Sequence, residues 1–369
     1  MKILYIANIR LPTEKAHGIQ IMKTCEALSD LGHQVELLVP RRFNRLKEDP
    51  FSYYGVRRNF SIQRIFCLDF TRLGRVGFLV ELFSFSEFVF WKTIFQKADA
   101  YYGRDTLPLL YLSIWKKNIF WEAHKGERSF VANALLKRAS KIIAISEGIK
   151  DFFVSKGVSS SKIFVIPDAV DVSLFDIETS RKEARRLLGF PQEKKIVTYS
   201  GSLSLYEWKG VDVFFEASKI LEDVLFLVVG GSQEEVKKLE GEVSKNVRFV
   251  GQVPHRKIPL YLKASDVLVL PNKKGNEVSE RFTSPMKLFE YMASDVPIVA
   301  SRLPSIEEVV SEKEVFFFEP NNSKSLAEQI LFVFGHEEEA MKKASLAKEK
   351  SKEYSWEKRV QKIVFSIKN

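Results

Sequence analysis

Short apolar runs separated by helical stretches recur along this 369-residue chain, and this alternation most constrains how it can fold. Lys2–Ala7 (KILYIA) and Val35–Val39 are typical of strands buried on both faces of a sheet, and Ile19–Leu31 between them has the apolar spacing of a helix. Further strands are predicted at Ile62–Phe66, Ala100–Tyr102, Ile119–Trp121, Ile142–Ile145 and Ile163–Ile166. Such alternation predicts a parallel sheet covered by helices on both faces.

A second series of the same kind follows the first. Its strands are predicted at Lys195–Tyr199, Leu225–Val229, Val247–Val250, Val267–Leu270 and Ile298–Ala300. Between the two series, Pro167–Phe175 contains a proline and few helix signals, so it is predicted to be a linker. We therefore expect an α/β protein of two doubly wound, Rossmann-like domains at 1–168 and 169–355 that face a central cleft. A final helix at 356–369 is expected to pack back on the first domain.

Several kinds of enzyme lack their sequence signals here. The GxGxxG fingerprint of dinucleotide-binding domains is absent, because the loop after the first strand has one glycine and Gly230–Gly231 has no third glycine at the required spacing. There is no Walker A motif and no GxSxG elbow. The five histidines are scattered without a partner at ligand spacing, so no metal site is expected.

Features that bear on the compartment are few. Cys25 and Cys67 form no CxxC pair and no disulfide framework, which favours a reducing, cytoplasmic location. Met1–Asn8 has the pattern of a strand and not of a secretory signal. Phe78–Phe95 is the most apolar stretch, but its three charged residues disfavour a transmembrane span.

Ser279–Ser301 (SERFTSPMKLFEYMASDVPIVAS) is the most informative segment. Ser284 followed by Pro285 predicts a helix start, with a hydroxyl N-cap and a proline at the first helical position. The free N–H groups of such a helix and the charge of Lys287 in its first turn would suit a phosphate. Glu290, about two turns inside, could bind a ribose attached to that phosphate. The alternative is a capped surface helix on which Glu290 is solvated.

This segment resembles the nucleotide-binding segment of the family 4 retaining glycosyltransferases of the GT-B fold. Other stretches resemble the same family: Tyr199–Ala217 its glycine-containing loop and the Lys-Gly-Val-Asp stretch, Val247–Asn272 its base-binding segment, Val165–Phe175 its linker, and the opening βαβ unit its first domain. The resemblance covers most of the chain. It implies an N-terminal acceptor-side domain and a C-terminal domain that binds a nucleotide-sugar.

The resemblance also implies roles for individual residues. Glu290 is similar to the glutamate that binds the donor ribose, and Lys209 to the basic residue that neutralises the diphosphate. His124 is similar to the catalytic histidine that contacts the transferred sugar. The other donor-binding positions implied are Gly18, Gly201, Ser202, Val250, Gln252, Thr283, Ser284, Pro285, Met286 and Lys287. At two positions the chain departs from the family: Phe282 stands where a second glutamate is common, with Glu280 two residues away, and Ser202 stands where many members have arginine.

The reaction implied is a hexosyl transfer with retention of configuration, from a UDP- or GDP-linked sugar to a saccharide or lipid-linked acceptor in cell-surface glycan or glycolipid synthesis. No metal and no other cofactor are expected, because lysines and a helix terminus would stabilise the departing diphosphate. Three alternatives remain: a nucleotide-sugar epimerase, a nucleotide-sugar-binding protein without transferase activity, and a nucleic-acid-binding protein. No nucleic-acid recognition motif is present, so nucleic acid is not expected as a partner.

The net charge of +10 lies wholly in the first half of the chain, and this bears on the acceptor. Residues 1–170 contain 26 basic and 16 acidic residues, which leaves 31 of each in the rest. Aromatic and arginine residues also alternate through Phe51–Arg75, next to the apolar stretch Phe78–Phe95. One hypothesis is that this half docks on an anionic membrane, as a peripheral protein of the inner face. The alternative is that Phe78–Phe95 is a core helix and the arginines are solvated.

Overall fold

The computed structural model describes residues 1–203 and 207–369, and it divides the chain into two compact units. The first unit contains Met1–Pro167 together with Trp356–Asn369, and the second contains Asp168–Ser355. The resembling stretch Tyr199–Ala217 includes residues 204–206, which lie outside the described residues.

The first unit is built on a seven-stranded sheet in which all neighbouring strands are parallel. The strand order is β3-β2-β1-β4-β5-β6-β7. The strands are β1 (Lys2–Ile6), β2 (Gln34–Pro40), β3 (Ser61–Ile65), β4 (Ala100–Gly103), β5 (Ile119–Ala123), β6 (Lys141–Ala144) and β7 (Ile163–Val165). The helices that connect them are α1 (Ala16–Asp30), α2 (Pro50–Tyr54), α3 (Gly74–Thr93), α4 (Thr106–Leu112), α5 (Phe130–Arg138) and α6 (Glu147–Ser155).

The second unit repeats this plan with a six-stranded parallel sheet, in the order β10-β9-β8-β11-β12-β13. Its strands are β8 (Ile196–Ser200), β9 (Leu225–Val229), β10 (Val247–Gly251), β11 (Val267–Leu270), β12 (Ile298–Ser301) and β13 (Phe316–Phe318). Its helices are α7 (Val172–Phe175), α8 (Arg181–Leu188), α9 (Val211–Ile220), α10 (Gln233–Leu239), α11 (Ile258–Lys263), α12 (Met286–Ala293), α13 (Pro304–Glu307), α14 (Ser323–Gly335) and α15 (Glu337–Ser351).

The last helix, α16 (Trp356–Lys368), belongs to the first unit, where it packs against α1. It buries Trp356, Val360 and Ile363 on one face. The buried face also includes Arg359, whose charge is met by a carboxylate of the first unit.

Each sheet is enclosed by apolar side chains on both faces, which is why its strands are nearly continuous apolar runs. Trp121, Tyr102 and Phe153 are among the largest fully buried side chains of the first unit, and Phe214 and Phe289 of the second. Burying an aromatic or leucine side chain of this kind contributes about 1.5–3 kcal/mol.

Two local expectations are corrected. The segment predicted as a linker contains the short helix α7, which begins because the Asp171 carboxylate accepts a hydrogen bond from the Leu174 amide at 3.3 Å. The segment Phe78–Phe95, most of which lies in α3, exposes Phe83, Trp91 and Phe95. The core-helix alternative for that segment is therefore wrong. Within the described part of the chain, no helix is both long enough and apolar enough to cross a bilayer.

Candidate active site

Two glycine loops meet at the carboxyl edge of the second sheet. Gly201 follows β8 with a φ of +143°, and Gly230 follows β9 with a φ of +123°. A Cβ on Gly230 would lie 2.2 Å from the Gly201 carbonyl oxygen, so only glycine permits this close approach. In open parallel sheets, ligands bind at this edge, where the loops leave the strands.

Lys209 lies beside the first of these loops. It ends a short 3-10 turn, Glu207–Lys209, and its ammonium group donates a hydrogen bond to the Ser202 hydroxyl. Burial lowers the pKa of Lys209, and the carboxylate of Glu235 opposes that shift. The turn is followed by Gly210, where a Cβ would lie 1.7 Å from the Pro271 carbonyl oxygen. Glycine at this position therefore lets the lysine-bearing turn pack against the end of β11.

Lys287, the second residue of α12, points its ammonium group into the same region. Its Nζ lies 4.2 Å from the centroid of the Tyr199 ring and is buried, with no hydrogen-bond partner among the described residues. Burial, and then the neighbouring charge of Lys209, hold the pKa of Lys287 well below its usual range. Burying a cation without a hydrogen-bond partner is unfavourable, so an anion bound beside Lys287 would be stabilised by its charge.

The start of α12 differs from the sequence prediction. The helix begins at Met286, and Pro285 occupies the N-cap position with no side-chain cap. The Ser284 hydroxyl instead accepts a hydrogen bond from the Asp168 amide at 2.9 Å, across 116 residues of sequence. The N-cap prediction for Ser284 is therefore wrong, because a tertiary hydrogen bond takes the hydroxyl. Thr283 and Met286, on either side of this turn, are half-buried.

Glu290 is the fifth residue of α12, little more than one turn from its start, and is 9% exposed. Its Oε1 lies 2.7 Å from Nε2 of His255. The alternative of a solvated Glu290 is therefore wrong, and so is its depth of two turns. His255 begins a 3-10 turn after β10, and the ring of Phe175 packs against it with centroids 5.5 Å apart. Sequence reasoning missed His255 as a partner, because nothing in its spacing relates it to Glu290.

The proposed base-binding stretch lies along β10 and the residues after it. Val250 is a half-buried residue of β10, and Gln252 is exposed just beyond the strand. Between them, the Gly251 carbonyl accepts a hydrogen bond from the Gly230 amide at 2.8 Å. This bond joins the backbone of the stretch to the second glycine loop.

Phe282 occupies the position at which the family often has a second glutamate, so the side chain there is apolar. Phe282, the last residue of a π-helical turn, is 3% exposed. Glu280 in the same turn accepts a hydrogen bond from the Gly275 amide at 2.6 Å, so its carboxylate stabilises the loop that precedes it.

Sequence reasoning also missed Tyr291, which fixes α12 to the sheet. Its buried hydroxyl accepts a hydrogen bond from the Ser200 amide at 2.8 Å and lies 3.1 Å from the Ser200 hydroxyl. Ser200 ends β8 immediately before Gly201, so this contact holds the helix bearing Lys287 and Glu290 against the first glycine loop.

In the first unit, His124 directly follows β5. Its Nε2 lies 2.6 Å from Oε1 of Glu122, a fully buried residue of that strand. Burial alone would raise the pKa of Glu122, but Arg359 and His124 outweigh it and hold that pKa well below its usual range. The ionised carboxylate can only accept hydrogen bonds, so the His124 Nε2 is the donor.

Glu122 is the centre of a buried polar network. It accepts hydrogen bonds from the Gln20 amide at 2.5 Å and from the Tyr102 hydroxyl, and the Arg359 guanidinium lies 3.0 Å from its Oε1. Arg104 in turn donates to Gln20 at 2.7 Å. This network positions His124 through residues of α1, β4, β5 and α16, and the sequence offered no signal for it.

Gly18 lies in the first turn of α1, two residues before Gln20, and not in the preceding loop as predicted. A Cβ there would lie 2.1 Å from the Tyr54 hydroxyl and 2.7 Å from a methyl carbon of Thr13. Packing thus requires glycine at this position. The adjacent His17 is half-buried, and burial followed by the charge of Arg104 lowers its pKa to about 4.

Comparison with known proteins identifies the class of protein to which the chain belongs. The family model "Glycosyltransferase Family 4" matches residues 18–174, and the model "Glycosyl transferases group 1" matches residues 180–351. The chain is 25% identical over 291 residues to an uncharacterised glycosyltransferase of Methanocaldococcus jannaschii, which covers 73% of this chain and 70% of that protein. It is 27% identical over 197 residues to the phosphatidyl-myo-inositol mannosyltransferase of Mycobacterium leprae, covering 52% of this chain but only 49% of that enzyme.

The structure of the Anabaena protein HepE in complex with UDP-glucose superimposes with a TM-score of 0.77 at 18% identity, covering all of this chain and 99% of that one. Together, the two parallel sheets and these matches define a glycosyltransferase of the GT-B fold. The chain belongs to glycosyltransferase family 4. The prediction of a glycosyltransferase of glycan or glycolipid synthesis is confirmed at this level, and the epimerase and inactive-binder alternatives are not favoured.

Proposed function

We propose that this chain transfers a hexosyl group from a UDP- or GDP-linked sugar to a saccharide or lipid-linked acceptor, with retention of configuration and without a metal ion. The observation that carries the proposal is the buried ammonium group of Lys287, which lies near Lys209 and the start of α12 and has no hydrogen-bond partner within residues 1–203 and 207–369. A diphosphate leaving group would supply the missing negative charge. It would also gain the free amide groups at the start of the helix.

These groups address the main electrostatic task of the reaction. Breaking the bond between the anomeric carbon and the phosphate oxygen leaves charge on the departing diphosphate. Preorganised cations in a water-poor site stabilise that charge more in the transition state than in the bound donor. Lys209 and Lys287 together are therefore assigned the role that a divalent metal has in other transferases. This assignment is the basis for proposing that the enzyme needs no metal.

Glu290 is assigned to the donor ribose. A carboxylate accepts hydrogen bonds at both oxygens, which suits the adjacent hydroxyls of a sugar. The contact from His255 to Oε1 fixes the orientation of that carboxylate, so we regard His255 as a positioning residue. Val250 and Gln252 are assigned to the nucleobase, and the glycine loops at Gly201 and Ser202 to the diphosphate. Ser284 and Pro285, with Thr283 and Met286, are assigned to the turn that meets the same diphosphate.

His124 is assigned to the transferred sugar. The contact between Nε2 and the buried Glu122 carboxylate fixes the orientation of the ring, which suits a residue that positions a sugar. For retention, the acceptor oxygen forms its bond to the anomeric carbon on the face from which the diphosphate departs. The acceptor proton then passes to the departing phosphate oxygen. Gly18 is assigned to the donor side of the first unit.

The relatives support the classes of donor and acceptor. The Anabaena structure contains UDP-glucose, and the mycobacterial relative is named for the mannosylation of a phosphatidyl-inositol. A cytoplasmic location is supported by Cys25 and Cys67, which are buried and free.

The test is nucleoside diphosphate binding by calorimetry, with UDP and GDP, to the wild type and to two matched variants. Lys287→Met removes the buried ammonium, whereas Lys324→Met removes an exposed lysine that is also the second residue of its helix, α14. Losing one charge-assisted contact of about 1.5–3 kcal/mol corresponds to a loss of affinity of about 10- to 150-fold. The Lys324→Met protein should bind as the wild type does. Equal affinity in all three proteins would remove Lys287 from the donor site.

Two further measurements address the mechanism of transfer. Activity should survive EDTA, and loss of activity that magnesium or manganese restores would contradict a metal-free reaction. Proton coupling constants at the anomeric carbon of donor and product report the configuration. An inverted product would contradict retention.

A further inference from the structure

Helix α3 buries three polar side chains, Glu81, Ser86 and Thr93, and exposes many of its large apolar ones, unlike an ordinary surface helix. The buried residues of α3 are Gly77, Glu81, Phe85, Ser86, Val89 and Thr93. On the opposite side, Val76 is 71% exposed, Phe83 50% and Trp91 59%. Exposing large apolar side chains along a whole helix costs free energy in water unless something else covers them.

The exposed strip continues beyond both ends of the helix. We call the strip formed by Leu73, Val76, Leu79, Phe83, Trp91 and Phe95 the α3 face; all six side chains are exposed. Beside it, the exposed ring of Phe66 packs against that of Phe88 with centroids 4.9 Å apart. The strip therefore runs for about six turns and has an additional aromatic pair along one edge.

The charges that border the α3 face are mostly positive. Arg72 and Arg75 are exposed at its N-terminal end, and Lys92 is exposed at the other. Arg72 also lies 4.2 Å from the centroid of the exposed Phe43 ring, which extends the face with a basic segment at residues 41–47. Of the two acidic residues in α3, Glu81 is buried, and Glu87 is exposed on the α3 face, where it accepts a hydrogen bond from the Trp91 indole at 2.6 Å.

We propose that the α3 face docks on an anionic lipid bilayer, with α3 lying in the plane of the interface. Phenylalanine and tryptophan side chains suit the boundary between headgroups and acyl chains, and the arginines suit the negative surface. A symmetric dimer through this face would use the same patch on both subunits, so it would bring the positive charges of Arg72, Arg75 and Lys92 on one subunit close to those on the other. The bordering charge thus favours a membrane over a second copy of the chain.

The structure also shows which arginines do not belong to this face. Arg57 pairs with Glu26 and Asp30. Arg58 pairs with Asp49 at 2.7 Å and stacks on Phe51. Both charges are thus met within the protein. The cations expected to act on a membrane are therefore Arg72, in the 3-10 turn before α3, and Arg75, in the first turn of α3.

The test is flotation of the full chain with vesicles of phosphatidylcholine alone or with 30% phosphatidylglycerol (about a third anionic), in the absence of any donor. Binding should require the anionic lipid and weaken with salt. Each arginine near such a surface is worth about fivefold in affinity, so Arg72→Ser with Arg75→Ser should weaken binding by about 25-fold. Val76→Ser, Phe83→Ser and Trp91→Ser together should abolish it. The matched control is Leu187→Ser, Leu331→Ser and Phe365→Ser, three side chains of similar exposure on α8, α14 and α16.

The outward position of the altered residues keeps the result interpretable. All variants should show wild-type circular dichroism, and the tryptophan fluorescence of the wild type, to which Trp91 contributes as one of five tryptophans, should shift to the blue when vesicles are added. Wild-type protein that never floats would overturn the proposal, as would equal binding by the α3-face variant and its control. Concentration-dependent dimers that disappear in the α3-face variant would overturn it in favour of a second copy. Because no donor is present, none of these outcomes depends on the proposed transfer reaction.

Discussion

The buried ion pair between Arg359 and Glu122 gives the sharpest prediction about stability. Arg359 in α16 is 3% exposed, and Glu122 in β5 is fully buried. The guanidinium lies 3.0 Å from the carboxylate and also donates to the Pro167 carbonyl at 2.9 Å. Replacing Arg359 by methionine keeps most of the apolar stem but leaves a carboxylate buried without its main cation. We expect this change to lower the free energy of unfolding of the first unit by about 3–5 kcal/mol at pH 7.

The penalty should depend on pH in a defined direction. In the wild type the pKa of Glu122 is depressed, so its contribution is present above the unfolded pKa and is lost as pH falls. Without Arg359, burial becomes the main influence and raises that pKa, so the variant regains stability as pH falls and the carboxyl group takes up a proton. The difference between wild type and variant should therefore shrink from pH 7 toward pH 4. Adding Glu122→Gln to Arg359→Met should recover part of the loss at pH 7.

Native-state hydrogen exchange of peptides from β5 and β6 is the suitable assay, because it reports the first unit without the second. The control is Arg302→Met, which removes a half-exposed arginine that pairs with exposed Glu307 and Glu312. That change should cost less than about 1 kcal/mol. An Arg359→Met penalty as small as the control's, or one that is the same at pH 7 and pH 4, would refute the argument.

Three further predictions concern histidines and the proposed ribose carboxylate. His124→Ala should reduce kcat by about 100-fold or more, while the affinity for UDP and GDP changes little, because the residue is assigned to the transferred sugar. Equal losses in kcat and in calorimetric affinity would contradict this assignment. The pKa of His17 is about 4 in the native state, whereas the unfolded side chain takes up a proton near pH 6.5, so the free energy of unfolding should decrease by up to about 3 kcal/mol as pH falls from 6.5 to 4. Hydrogen exchange in His17→Gln should lack this decrease, and a pH profile identical to that of the wild type would exclude His17 as its source. Glu290→Ala should weaken donor binding about tenfold or more, because the carboxylate is assigned to the donor ribose. It should also lower the free energy of unfolding by about 1–2 kcal/mol, because the side chain is buried and contacts His255. Unchanged donor affinity in calorimetry would remove Glu290 from the site.

The strands were the most predictable part of the fold, because buried parallel strands are short apolar runs bounded by loop residues. Leu225–Val229 was predicted with its observed bounds, and Val247–Val250 lacked one residue of its strand. The orientation of α3 could not be predicted. Large apolar residues lie on all sides of this helix, so its sequence has no period that shows which side faces inward. In the structure the buried side is the one that carries Glu81 and Ser86.

The site shows the same division between local and long-range information. The lysine and glutamate of α12 were found from a local pattern and from resemblance. The partners that decide their environment come from elsewhere in the chain: Tyr199 under Lys287, His255 beside Glu290, and Asp168 on Ser284. Capping rules describe a helix end by its own few residues, so they fail where a distant amide takes the hydroxyl.

The membership of α16 in the first unit has a consequence for the order of folding during synthesis. The first unit is interrupted by all of Asp168–Ser355, so the ribosome makes α16 only after the whole second unit. At about 5–20 residues per second, roughly 10–40 s separate the two parts of the first unit. During that interval β5 carries Glu122 without Arg359, and the first unit lacks the charge that stabilises its buried carboxylate. The second unit is continuous in sequence and is free to fold as it emerges, so the chain should complete its second unit before its first.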